Sequence, residues 1–291
     1  RSQDLARRFP LRPGDSTWVG VQRVHALVHP GMRFLLLSNG SARSQAALAL
    51  GGAIARLAHA RVTVLGHGET DGDAEVHLQA AREQLGSGLA ALDTRITRDE
   101  PAEAVAEEVE RRPSDLVIVS LPPRDGLEMA EEILIKGSHH LLLAPAGADG
   151  RVPQKVLICV AVGEPGKEDV AFTARLVRHL GAEATILTVI PEAVRQSGGA
   201  SVAQAQAERF LAGNARTLRR LGVPVETRVR YGGVREEIQA QLAEGGHDLL
   251  VLGAPLPGRD GRVELGGLMG KILAAAADRP ILIVRSPEAA S

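Results

Sequence analysis

Aromatic side chains are nearly missing from this sequence: Trp18, Tyr231 and four Phe make up 2% of its 291 residues. So few rings cannot line the stacking platforms on which single-stranded nucleic acids are held. An excess of either charge is missing too. The 34 Lys and Arg stand against 35 Asp and Glu, which argues against a general nucleic-acid binder. A single cysteine, Cys159, rules out an intrachain disulfide and suits a reducing cytoplasm. No apolar stretch reaches the length of a membrane span, since the richest helix candidate, Ala46 to Ala58, is interrupted by Arg56. No signal-peptide pattern is visible, and Arg at the first position is the start expected of a processed or excised chain. No nucleophile elbow accompanies the Ser and His residues, so hydrolase chemistry has no positive support.

What is present is a pattern written twice, from Arg33 to Pro145 and from Lys155 to Pro287. Each copy opens on an apolar run that ends in a glycine turn, Phe34 to Gly40 and Val156 to Gly163. An amphipathic helix and a second apolar run follow, and later an Asp-led strand, Asp115 to Ser120 and Asp248 to Gly253. Each Asp-led strand runs on to Pro and Arg-Asp-Gly, at Pro122–Gly126 and Pro257–Gly261. In the second copy, Lys155–Ala161 is a continuous apolar run of the doubly buried kind, and Val223–Tyr231 alternates, with Val225, Thr227, Val229 and Tyr231 on one face; Glu183–Ile190, Asp248–Gly253 and Ile281–Val284 complete the predicted strands. Helical periodicity predicts helices at Gly166–Leu180, Val202–Leu221, Val234–Ala243 and Gly267–Ala277, with Arg195–Ser201 as a loop. Strands separated by such helices pair in parallel through right-handed crossovers. The expected fold is therefore α/β: two tandem open parallel five-stranded sheets flanked by helices, Rossmann-like. An N-terminal arm covers 1–31, a first domain 32–146 and a second 154–288, with the Pro-, Gly- and Asp-bearing linker between them.

Ligands of such sheets bind beyond the carboxyl ends of the strands. The loops that qualify in the second copy follow the first and fourth strands, Val162–Lys167 and Gly253–Gly266. Glycines let backbone N–H groups approach a phosphate, and a following helix N-terminus adds partial positive charge. Gly253, Gly258, Gly261, Gly266 and Gly267 supply the backbone, while Arg259, Arg262 and Lys271 supply charge. The plain alternative is a long flexible connection. Gly163-Glu-Pro-Gly-Lys167 is not a Walker loop and reads as an ordinary strand-to-helix turn.

The order of elements, Pro280-Ile-Leu-Ile-Val-Arg285 and Leu252-Gly-Ala-Pro…Leu265-Gly-Gly resemble the universal stress protein family, as a tandem pair that covers nearly all of the chain after its first thirty or so residues. Nucleotide-binding members of that family carry Gly, two residues, Gly, nine residues, then Gly and Ser or Thr. Here Gly253 and Gly266 match the first and third glycines, but Leu256 takes the second and Gly267 the Ser/Thr position. Ala161 stands where the family favours an Asp near the adenine, and Asn39 stands there in the first copy. The resemblance implies an adenine nucleotide, ATP or AMP, held in the second copy by Gly163, Val189, Gly253, Gly258, Arg259, Gly266 and Gly267. Val189 is there the position whose backbone meets the base. The first copy, with Ser120–Gly126 in place of the loop, is expected to bind none.

Other groups read as structural. His139 and His140 point to opposite strand faces near a domain contact and make poor joint metal ligands. The run His67 to His77 lacks the spacing of a calcium loop and reads as a turn in which Asp73 caps the next helix. No metal site is expected. The opening segment, with Arg1, Arg7, Arg8, Arg12 and Arg23, reads as an arm packed through Trp18, or as a severed basic stretch beside a membrane. The last strands, His140–Ala144 and Ile281–Val284, read as sheet edges that need covering, and the resemblance to the family implies that they join the two copies as a pseudo-dimer. The reading is a cytoplasmic, non-catalytic regulatory or sensing module; slow ATP hydrolysis is a distant third. Its rival is an interaction scaffold or the cytosolic portion of a membrane transporter that binds no nucleotide. A homodimer and an unidentified protein partner stay open, with no nucleic acid.

Overall fold

Ten strands line up in a single sheet because the last strand of each half finds the other. A computed structural model describes residues 31–121, 127–162, 167–196, 199–255 and 263–285, leaving out the side chains of 167–169. The first half runs β1 (Arg33–Ser38), α1 (Ala42–Leu57), β2 (Arg61–His67), α2 (Asp71–Leu85), β3 (Ala91–Thr97), α3 (Pro101–Arg111), β4 (Leu116–Ser120), α4 (Leu127–Ile135) and β5 (His140–Ala144). The second runs β6 (Lys155–Cys159), α5 (Lys167–Leu180), β7 (Glu183–Ile190), α6 (Glu192–Gln196), α7 (Ala200–Arg220), β8 (Val225–Tyr231), α8 (Val234–Gly245), β9 (Leu249–Gly253), α9 (Gly267–Ala275) and β10 (Ile281–Val284). The strand order is β3-β2-β1-β4-β5-β10-β9-β6-β7-β8, so both halves share one topology. Each half is parallel throughout, and β5 meets β10 antiparallel, with Leu141, Leu142 and Leu143 opposite Ile283, Leu282 and Ile281. The α/β architecture and the edge-to-edge joint are those expected from the sequence.

Alternation along the strands builds the layers. Phe34 and Leu36 of β1 face α1, α2, α5 and α7, while Leu35 and Leu37 face α3, α4, α8 and α9. The Asp that leads each fourth strand has a defined duty. Asp115 Oδ2 accepts the Arg33 N–H at 2.7 Å, and Asp248 Oδ1 accepts the Lys155 N–H at 2.8 Å. Each carboxylate thus fixes the register between the fourth strand and the first, which is why Asp recurs there. On the α3 and α8 face, Glu108 and Gln241 sit buried at matching places and take cations from the outer strands, Arg95 and Arg230.

Boundaries differ from expectation in a few places. β6 ends at Cys159, so Ala161 lies beyond the strand. The expected loop over Arg195–Ser201 is shorter, since a short helix, α6, runs through Gln196 and α7 begins at Ala200. Thr70, not Asp73, is the N-cap of α2; Asp73 closes a capping box with it. His139 precedes β5 rather than lying in it. The arm over 1–31 falls almost wholly outside the described residues. Among the described residues no helix is long and apolar enough to cross a membrane.

The joint is apolar along its strands and flanked by Arg285, His139 and His140. Leu141, Leu142, Leu143, Ile281, Leu282 and Ile283 are all fully buried, each worth about 1.5–3 kcal/mol by area. His140 stacks on Phe172 of α5 with ring centroids 3.8 Å apart, and its Nδ1 accepts the Arg285 N–H at 3.1 Å. The Arg285 guanidinium donates to the Leu134 and Gly137 carbonyls at the end of α4. His139 is buried beside it; the Ile133 carbonyl lies near, yet neither ring nitrogen makes a well-formed hydrogen bond. Burial first, and Arg285 second, lower His139 to about 4. Burial, His139, Arg175 and Arg285 lower His140 to about 3.

A depressed histidine pKa favours the neutral ring in the folded chain. Its contribution is therefore complete above the ordinary value near 6.5 and is lost as pH falls toward 4. From His139 alone, urea unfolding should show a loss of roughly 2 kcal/mol between pH 7 and pH 5. In His139→Leu that part of the slope should vanish; equal slopes in the two chains would mean the joint is not acid-sensitive through this residue.

Candidate functional site

The carboxyl ends of the strands decide where a ligand could lie. In each half the first and fourth strands are neighbours, β1 with β4 and β6 with β9, and the chain leaves them toward opposite sides of the sheet. A crevice opens at such a switch point.

In the second half Val189, next to last in β7, is half-buried and pairs with Arg230. Gly253 ends β9, exposed and level with Val284. Because β6 lies between them, these two residues flank its end roughly 10 Å apart. Gly266 is the N-cap of α9: its backbone is extended, no side chain caps the helix, and a Cβ there would meet open space. Gly267 opens α9 at φ +58°, a left-handed conformation that suits glycine and strains Ser or Thr. The missing hydroxyl at this position therefore has a backbone reason. Lys271 lies one turn further on, near Glu236, whose carboxyl is held below its usual range by its own backbone N–H, then by Arg235, and less by Lys271. Gly163, Leu256, Gly258, Gly261, Arg259 and Arg262 lie outside the described residues.

Under the end of β6 sits a cavity of about 40 Å³ lined by Ile158, Val160, Thr173, Phe210, Asn214 and Val284 among others. It is smaller than a purine, so a base would have to lie above it, along the strand ends. The Nδ2 of Asn214 is buried here without a partner.

The first half fills the corresponding place from within. The spacing of buried Ala74, Leu78 and Leu85 in α2 repeats in Ala207, Leu211 and Leu218 of α7, which sets His77 opposite Phe210 and Ala81 opposite Asn214. His77 Nδ1 bonds the His67 carbonyl at 2.8 Å, at the end of β2. The register of the paired strands makes His67 the counterpart of Val189. The same imidazole lies against Gly40 so closely that a Cβ there would stand 2.3 Å from Nε2. Around it Asn39 Oδ1 accepts the Ser41 hydroxyl at 2.7 Å, and Ser41 caps α1. In the sequence His77 reads only as part of a ligand-rich run or of a turn; the signal for its place was the apolar spacing shared by α2 and α7. Among the described residues no three His, Cys, Asp or Glu come together as a metal set.

A larger groove of about 880 Å³ lies at the opposite, amino-terminal end of β7 and β8. Its charges cancel internally, Lys155 with Glu183, Arg228 with Glu226, and Arg230 with Glu244. It offers no field to a charged ligand.

Two like halves, each an open parallel sheet with a switch-point crevice, define a doubled α/β protein. Residues 153–285 match the model of the universal stress protein family, and the first half has the same fold as that stretch. A universal stress protein from Archaeoglobus fulgidus matches with TM-score 0.62 at 13% identity, over 88% of this chain and 97% of that one. A functionally unknown protein from Pseudomonas aeruginosa matches with TM-score 0.63 at 15% identity, over 88% and 93%. At these identities the likeness carries the fold alone. No curated protein matches the sequence.

The contact between Gly40 and His77 gives a test of the filled crevice. Gly40→Ala combines a left-handed φ of +73° with the collision and should cost about 2–4 kcal/mol. Adding His77→Ala should recover the collision but not the backbone strain. Additive losses in a double-mutant cycle of denaturation would show that the ring does not occupy this place.

Proposed function

We propose that the second half is a non-catalytic adenine-nucleotide-responsive module and that the first half binds no nucleotide and serves as its support. The observation that supports this reading is the uncapped N-terminus of α9 at Gly266, open to solvent and directly downstream of the switch-point strand β9. Free backbone N–H groups and the positive end of a helix dipole stabilise a phosphate there without any special side chain. The base would lie over the end of β6 toward Val189, and Gly253 would allow the sugar and phosphates to pass close to the backbone. Gly163, Gly258 and Arg259 complete the proposed set from the sequence. In the first half, His77 on the His67 carbonyl occupies the place that corresponds to the base. The module is taken to act in the cytoplasm through a protein partner or a second copy of itself.

The departures at Ala161 and Gly267 favour weak binding, and carried further they favour the scaffold or transporter-regulatory reading. Calorimetric titration with ATP, AMP and magnesium up to millimolar ligand separates the two. Saturation at about one nucleotide per chain is expected. Gly266→Asp should lower the affinity at least about tenfold, because the carboxylate takes the helix N–H groups. The same substitution should leave the melting temperature equal or higher, since Asp is a good N-cap and meets no neighbour. No heat and no thermal shift in the wild-type chain would leave the scaffold reading.

A further inference from the structure

The segment that leads into α9 is held by the other half of the molecule. The Leu265 N–H donates to Glu131 Oε1 of α4 at 2.6 Å. Leu265 and Val263 are buried in the same apolar cluster as Ala130, Ile133 and Leu134 of α4. The Leu265 carbonyl would stand 3.0 Å from a Cβ at Gly270, and Leu127 of α4 packs near the same point. The entry to α9 is therefore seated on α4, and Gly270 permits the close approach.

The contact runs in one direction. Counted back from Leu142 and Leu282, which face each other across the joint, Glu131 and Lys271 hold the same place in their two halves. An ammonium has no lone pair, so Lys271 cannot accept a backbone N–H of the first half in return. The duplicated position has become an acceptor in one half and a cation in the other.

We infer that Glu131 is a positioning residue for the anion site at the start of α9, and that through it the first half sets both the shape and the charge of that site. This inference rests on the proposed nucleotide reading. The bond fixes the Glu264–Leu265 peptide, one before the peptide that carries the Gly266 N–H, and through it a residue of the first half sets where the Gly266 and Gly267 N–H groups point. The carboxylate also lies within roughly 6 Å of the Gly266 amide, one peptide beyond its own partner, and its negative charge opposes a phosphate there. Glu131 thus orders the loop while it lowers the affinity for highly charged ligands.

Two variants separate these effects. Glu131→Gln keeps an oxygen acceptor and removes the charge; Glu131→Ala removes both. Hydrogen exchange of the ligand-free chain is read at the amides of residues 264–268. Exchange should speed up at least about tenfold in Glu131→Ala and stay near wild type in Glu131→Gln. ATP affinity should rise about three- to tenfold in Glu131→Gln, with a weaker gain for AMP and for added salt to diminish both. It should fall in Glu131→Ala. Unchanged exchange in Glu131→Ala would overturn the positioning role, and equal ATP affinity in wild type and Glu131→Gln would overturn the charge role. If the wild-type chain binds no ATP, the nucleotide reading fails on its own, and the exchange experiment still decides whether Glu131 holds the segment.

Discussion

The antiparallel contact of β5 with β10 is the constraint on which the rest of this molecule depends. Each five-stranded sheet would otherwise end in a short, wholly apolar edge, Leu141–Leu143 in one half and Ile281–Ile283 in the other. Unpaired N–H and C=O groups on such an edge invite association with any available strand. Pairing the two edges inside one chain removes the hazard and merges two small cores into continuous layers above and below ten strands. Arg285 and His140 then tie the ends of the joint to α4 and α5. The apolar joint is obtained at the cost of two histidines that must stay neutral.

Once joined, the halves are free to diverge, because the sheet tolerates differences at its strand ends. The crevice of the first half is occupied by His77, held by the His67 carbonyl and seated on Gly40. In the second half Phe210 and Asn214 replace His77 and Ala81, and a small cavity remains. In the helix after the fourth strand the same divergence turns Glu131 and Lys271 into opposite charges. The differences fall at the strand ends and helix entries, while the Asp115 and Asp248 locks stay identical in kind. Scaffold and site are thus separated along the strand direction, a separation that lets one copy support the other.

Much of the fold was legible because it is local. The apolar runs that became β1, β4, β6 and β9 are buried on both faces, and such strands need no partner information to be recognised. The Asp-led strands stood out as a repeat, although their duty, accepting an N–H from the first strand of the same sheet, appears only once the strands are paired. Edge logic said that β5 and β10 must be covered, and the family resemblance supplied that they cover each other. Less was legible where two distant segments meet. Nothing local marks His77 as a crevice filler or Glu131 as the partner of Leu265, because each contact joins different elements. The early end of β6 at Cys159 escaped because Val160 and Ala161 continue the apolar run. Of the proposed nucleotide set, Val189, Gly253, Gly266 and Gly267 lie at the ends of β7 and β9 and the start of α9.

The central claim is that residues 31–285 unfold as one body because the joint makes one sheet of two. Differential scanning calorimetry of the whole chain tests it most directly. The account predicts one transition whose calorimetric and van't Hoff enthalpies agree, with a ratio near about 1. Two separable transitions, or a ratio near about 2, would mean that the halves are independent domains and that the β5–β10 contact does not govern the fold.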